Sequence, residues 1–244
     1  MHKQLLAMGL CALPMAVPAM DWQPSAEAGL VATSGNSDTL NVNGRFALAG
    51  EDESWIHNYY ALALRNETDD ETTANRYEFA GRCGWKFGDR SYAFGALLYE
   101  NDDFSTFDSQ TVASIGYGVF AIRSEPTTLL FEIGPGYRWA KFADDTADPD
   151  NADGAVLRGL MDFKHRFTAN TTMFDTLVIE AGSDNTFVQN DIGVAVSMTK
   201  TLALKAAFQV RHNTESVDGA DRTDTLTTLN LVWTPAAPPA ARGA

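Results

Sequence analysis

The chain has 244 residues, 45% of them hydrophobic, with 32 acidic against 18 basic side chains and a net charge of −14. That charge excludes a binder of phosphate backbones, which needs clustered Lys and Arg, so nucleic acid is not an expected partner. After the first twenty residues no apolar run reaches the ~18 residues of a helical membrane span, which still leaves room for a barrel, whose strands need only about 10 alternating residues.

At the N-terminus, His2 and Lys3 precede the apolar run Leu5 to Val17, and Val17-Pro18-Ala19 offers small residues for cleavage. The pattern predicts a secretory signal peptide over 1–19, followed by a short periplasmic segment over 20–25. Cys11 falls inside the peptide, which leaves Cys83 as the single mature cysteine and excludes an internal disulfide.

From 26 to 233 the sequence alternates apolar and polar residues in twelve stretches, predicted as strands near 26–34, 39–49, 54–66, 74–88, 91–102, 110–123, 127–142, 154–168, 171–183, 186–199, 202–214 and 223–233. In the second, Leu40, Val42, Gly44, Phe46 and Leu48 share one face while Asn41, Asn43, Arg45 and Ala47 share the other. A period of two belongs to a half-buried strand and not to a helix. The fourth and eleventh repeat it, with Cys83 placed on the apolar face of the fourth. The predicted fold is all-β: one closed antiparallel transmembrane barrel of about twelve strands in an up-and-down meander, located in the bacterial outer membrane.

The connectors alternate short and long. With both termini periplasmic, 51–53, 88–90, 124–126, 169–170 and 200–201 become periplasmic turns. The outer rim then carries 34–38, 66–73, 102–108, 143–153, 183–185 and 215–222, which hold more than half of the 32 acidic residues. Aromatic girdles are expected from Trp55, Trp85, Phe87, Tyr92 and Trp233 at one interface, and from Tyr77, Tyr99, Phe104, Trp139, Phe142 and Phe187 at the other. The tail 234–244, rich in Pro and Ala, reads as a disordered extension.

Several stretches carry candidate chemistry. Inward positions include Arg45, Arg76, Glu78, Arg82, Lys86, Glu132, Arg138, Arg158, Asp162, Lys164, Arg166, Glu180, Asp191, Lys205 and Arg211. This lining has bases in excess: in an open pore it would favour anions, and in a closed barrel its charges would pair across the lumen. Ala80, Gly84, Gly95, Gly134, Gly136 and Ala207 are expected to leave space inside, and Gly134-Pro135-Gly136 is expected to form a bend or bulge. Asp144, Asp145, Asp148, Asp150 and Asp153 form an acidic loop able to attract divalent cations, without the spacing of an EF-hand. His212, beside Arg211 and near Glu215, Asp218 and Asp221, is the one histidine placed for acid/base work on the outer rim, with Asp102 and Asp103 as carboxylate partners. No cofactor is called for.

The segment Gly29-Leu30-Val31-Ala32-Thr33-Ser34-Gly35-Asn36-Ser37-Asp38-Thr39 resembles the opening signature of a family of salt-induced outer-membrane proteins of unknown function. Arg76-Tyr77, Tyr99-Glu100-Asn101-Asp102-Asp103-Phe104 and Gly134-Pro135-Gly136-Tyr137-Arg138 extend the resemblance along the mature chain. It implies a non-enzymatic outer-membrane barrel linked to salt or osmotic stress, as a narrow channel or an envelope protein. Its partners would be outer-membrane lipid, lipopolysaccharide and, during biogenesis, the barrel-assembly machinery. The residues Ser34, Gly35, Asn36 and Asp38 are read as a tight hairpin turn within that signature. Two alternatives stay open: a hydrolase centred on His212, and a surface receptor that binds cations.

Overall fold

The computed structural model describes residues 20–33, 39–69, 71–103, 107–142, 153–215 and 222–235. They form twelve strands: β1 Asp21–Thr33, β2 Thr39–Glu51, β3 Trp55–Thr68, β4 Glu71–Lys86, β5 Ser91–Asp102, β6 Phe107–Arg123, β7 Thr127–Phe142, β8 Gly154–Arg166, β9 Thr171–Gly182, β10 Thr186–Ser197, β11 Leu202–Asn213 and β12 Thr223–Trp233. Each pairs with its neighbours in sequence, and β1 pairs antiparallel with β12 to close the ring. The seam is the shortest ladder, running from Ala26↔Trp233 to Gly29↔Asn230. An even number of meandering strands puts both ends of the barrel sequence at one rim.

Residues that share a face with Phe46, Phe79, Ile115, Ile133, Leu157 and Leu229 are exposed on the outside, while Glu100, Glu132, Arg138, Glu180 and Arg211 are buried within. Polar inside and apolar outside inverts the arrangement of a water-soluble protein, and both faces follow from the period of two. Cys83 lies outward, with the Tyr59 hydroxyl 3.1 Å from its Sγ. Trp22, Trp55, Trp85, Phe87 and Trp233 ring the end bearing short turns, while Tyr77, Tyr99, Tyr137 and Trp139 ring the other.

The structure departs from the sequence expectation in several places. Strand β1 starts at Asp21, and 21–25 pair with β2 from Asp21↔Glu51 to Ser25↔Ala47. The expected 66–73 loop shrinks to 69–70, because β3 and β4 extend through a bulge at Asn66/Glu67 and Asp69 takes φ 50°, a left-handed conformation that Asp tolerates. No register shift occurs at Gly134-Pro135-Gly136. The shifts between β6 and β7 lie at Phe107/Ser109 and Phe120/Ile122. The glycine at 134 instead permits close strand approach, since a Cβ there would overlap the Ile115 carbonyl oxygen.

Tyr92 and Phe187 do not join the girdles. Tyr92 pairs with the inward Lys86 and Gly118 and is 1% exposed, and Phe187 is buried beside Arg211. Gly95, expected inward, faces out opposite Cys83 into open space. For Tyr92 and Gly95 the cause is one strand, β5, which is apolar on both faces from Tyr92 to Tyr99 and so hides its own parity. Residues 1–19, the turn Ser34, Gly35, Asn36 and Asp38, Phe104, and 236–244 lie outside the described residues.

Candidate functional site

The lumen is filled rather than lined. Toward the end with short turns, Ile56, Tyr92, Phe94 and Leu130 form an apolar cluster, with Ala96, Phe120 and Leu160 packed on it. The Tyr92 ring lies in the gap left by two inward glycines: a Cβ on Gly84 would come within 2.7 Å of it, and one on Gly118 would overlap it. The space that small residues were expected to leave is therefore occupied at Gly84. Phe174 fills the corresponding space at Gly193, where its ring is 2.5 Å from a built Cβ, and Lys205 lies over that ring at 5.0 Å.

Above the cluster sits Glu132 on β7, whose side chain is fully buried. Its Oε1 accepts from Arg82 Nη1 at 2.6 Å and from the Tyr92 hydroxyl at 2.5 Å, and its Oε2 accepts from Arg158 Nη1 at 3.2 Å. A carboxylate with both oxygens taken by charged or hydroxyl donors is a satisfied buried charge. Near the same level Tyr60 donates to Glu78, and the Arg45 guanidinium stacks 4.1 Å above the Tyr60 ring.

The next level closes the barrel across its width. Arg211 on β11 sends Nη2 to both oxygens of Glu100 at 2.7 Å and Nη1 to Asp102 Oδ2 at 3.1 Å. Both carboxylates are on β5, six strands from β11 by either route around the ring. Gln110 Nε2 adds a bond to Glu100 at 3.0 Å. Arg76 Nη2 reaches Gln209 at 3.1 Å, and Gln209 passes the chain to Asp191 at 2.7 Å, where Gln189 also donates. Arg138 pairs with Glu180, and Lys205 with Glu27. At the short-turn rim Lys86 and Arg123 converge on Glu51, Arg166 meets Glu125, and Lys164 meets Asp162 at 3.3 Å.

The inward positions expected from sequence are thus brought together, mostly as ion pairs. The expected excess of bases is not present. Strand pairing turns Glu27, Glu51, Glu100, Asp102 and Asp224 inward as well, which brings carboxylates level with bases and removes the ground for anion preference. Glu100 was hidden by the double-sided apolarity of β5.

His212 does not meet its proposed partners. It points out of the barrel, with Nδ1 2.8 Å from Thr223 Oγ1, while Asp102 points into the lumen on another strand. Asp103 accepts instead from Asn75 at 2.6 Å. The wall separates His212 from Asp102, and Asp103 follows β5, six strands from β11 around the ring, so the three do not form a shared acid/base site. Of the acidic loop, Asp153 accepts from the Ala140 amide at 2.9 Å, and Asp144, Asp145, Asp148 and Asp150 lie outside the described residues, as do Asp218 and Asp221. Among the described residues no three His, Cys, Asp or Glu side chains converge as a cation site.

The fold is similar to that of the NanC porin, at a TM-score of 0.55 with 11% identity, covering 87% of this chain and 99% of that one. It is also similar to an outer-membrane channel of Pseudomonas putida F1, at a TM-score of 0.50 with 9% identity, covering 90% and 97%. In sequence the chain is 26% identical over 216 residues to the uncharacterized protein YdiY of Escherichia coli K12, covering 86% of this chain and 82% of that one. The family model described as "Protein of unknown function, DUF481" matches residues 26–234, and the chain belongs to that family.

Proposed function

We propose that this protein is a non-enzymatic barrel of the bacterial outer membrane whose lumen is closed at rest, so that it acts as an envelope protein and conducts only when its inner ion pairs are broken. The apolar outer surface between two aromatic rings supports the membrane setting, because such a surface is stable against lipid and not against water. The Arg211 clasp on Glu100 and Asp102 carries the closed reading, since a side chain that bonds across the full ring leaves no wide path beside it. The likeness in fold to a porin and a channel is compatible with a conducting form. On the outer rim, acidic loops would gather divalent cations and bridge them to lipopolysaccharide phosphate.

The test is conductance of the purified mature protein in a planar bilayer. Wild type should give few and small steps in KCl, and Arg211→Ala should give larger and more frequent ones. A steady, large wild-type conductance would overturn the closed reading. The link to salt or osmotic stress rests on the sequence resemblance and has its own test: a deletion strain should lose viability on osmotic shock and regain it with the wild-type gene.

A further inference from the structure

Among the described residues the outward face holds one polar fault at mid-strand. Phe174 packs inside under Lys205, so its neighbour Asp175 on β9 faces out, on the same side as the exposed Ile179. Its cross-strand partners are Phe163 and Ile192. Asn190 on β10 also faces out, paired with Leu177 and Val210, and its Nδ2 donates to Asp175 Oδ1 at 2.7 Å. Asp175 is four positions beyond Thr171, the first residue of its strand, which at an ordinary barrel tilt sets it about 10 Å inside that rim, well within the apolar band. Among the described residues the other outward charged side chains, such as Arg65 and Lys141, lie near the strand ends.

The pair is incompletely satisfied. No other hydrogen bond reaches the Asp175 carboxylate among the described residues, which leaves Oδ2 without a donor. The second N–H of Asn190 reaches only the Thr176 carbonyl, at a long 3.3 Å. Lipid tails supply no donor and no water at this depth, so a carboxylate oxygen there needs protein against it.

We propose that the β9–β10 outer face, centred on Asp175 and Asn190, is the contact between two copies of this chain in the membrane. The patch complements itself. A two-fold axis along the membrane normal brings equal depths together, because all copies insert in one orientation. Across that axis the loosely held N–H of each Asn190 turns from Thr176 to the free Oδ2 of Asp175 in the other copy. The two reciprocal bonds give both carboxylates a second donor, and Phe163, Leu177, Ile192 and Val210 supply the surrounding apolar contact. The inference rests on the reading that the outer face meets lipid.

Cysteine cross-linking in intact outer membranes tests it with the full chain. In a Cys83→Ser background, Leu177→Cys lies beside the proposed axis, and Phe79→Cys on β4 lies six strands from β10 on the opposite face. Oxidation should give at least tenfold more covalent dimer from Leu177→Cys than from Phe79→Cys. Adding Asp175→Leu should reduce it to the Phe79→Cys level while the barrel keeps its heat-dependent gel mobility, since leucine suits a lipid-facing position. A folded outer-membrane barrel with equal cross-linking at both sites would overturn the interface and leave the membrane reading standing. Cross-linking undiminished by Asp175→Leu would overturn the role of the polar pair. Protein missing from the outer-membrane fraction would overturn both readings.

Discussion

Replacing Arg211 by alanine removes three charge-assisted bonds at once, stranding the Glu100 carboxylate in the lumen and taking one contact from Asp102. Glu100 is the more severe case, because its side chain is 3% exposed and keeps only the Gln110 amide as a donor. Breaking a buried pair by removing one partner costs about 3–5 kcal/mol. Water entering from the rim toward the less enclosed Asp102 argues for the lower end, about 3 kcal/mol, or roughly a hundredfold in the folding equilibrium. Unfolding of the vesicle-inserted barrel by urea, followed by tryptophan fluorescence, reads this directly. The combination Arg211→Met with Glu100→Leu should recover much of the loss, since an apolar pair leaves one fewer charge stranded. If Arg211→Ala unfolds within about 0.5 kcal/mol of wild type and adds no conductance, the clasp is neither a structural tie nor a closure.

Other positions give contrasting outcomes in the same assays. Glu132→Ala leaves Arg82 and Arg158 facing each other without a carboxylate and should cost about 3–5 kcal/mol, whereas Tyr92→Phe removes one hydroxyl bond to a charge and should cost about 1.5–3 kcal/mol. Gly118→Val drives side-chain atoms into the Tyr92 ring and should destabilise by about 1–3 kcal/mol while increasing conductance. Glu51→Gln disturbs only the open rim pair with Lys86 and Arg123, and its effect should stay below about 1 kcal/mol and shrink with added salt. His212→Ala should change stability by no more than about 0.5 kcal/mol and alter no hydrolytic activity, because the imidazole is separated by the wall from every lumen carboxylate.

The strand positions were legible because lipid and lumen impose opposite demands on successive residues, and Leu40 to Leu48 or Tyr77 to Phe87 record that demand directly. The same alternation placed Arg82, Glu132, Arg158 and Arg211 inward without any knowledge of the register. It failed at β5, where a packed interior asked for Tyr92, Phe94, Ala96 and Leu98 on the lumen side as well, so both faces read as apolar. Partnership was not legible at all. Arg211 and Glu100 are 111 residues apart, and only ring closure makes their strands face each other. Asp175 drew no attention because β9 does not alternate: Met173-Phe174 and Leu177-Val178-Ile179 put apolar residues on both faces, and Phe174 under Lys205 shows which of them is the lumen side.

The two fillings of the lumen close it by different physics, and this bears on what could open it. The cluster around Tyr92, Phe94 and Leu130 excludes water by packing, and salt does not weaken it; concentrated salt strengthens apolar burial if it acts at all. The pairs at Glu132 and Glu100 are shielded from mobile ions by that packing and by the wall, so screening reaches them far less than it reaches Glu51 or Glu125 at the rim. Ionic strength alone therefore changes the rims and leaves the closure in place. Release of Arg211 from β5 and departure of Tyr92 from the gap between Gly84 and Gly118 each widen the path, on different strands and with no shared residue, and the full width needs both. A barrel built this way resists opening by salt.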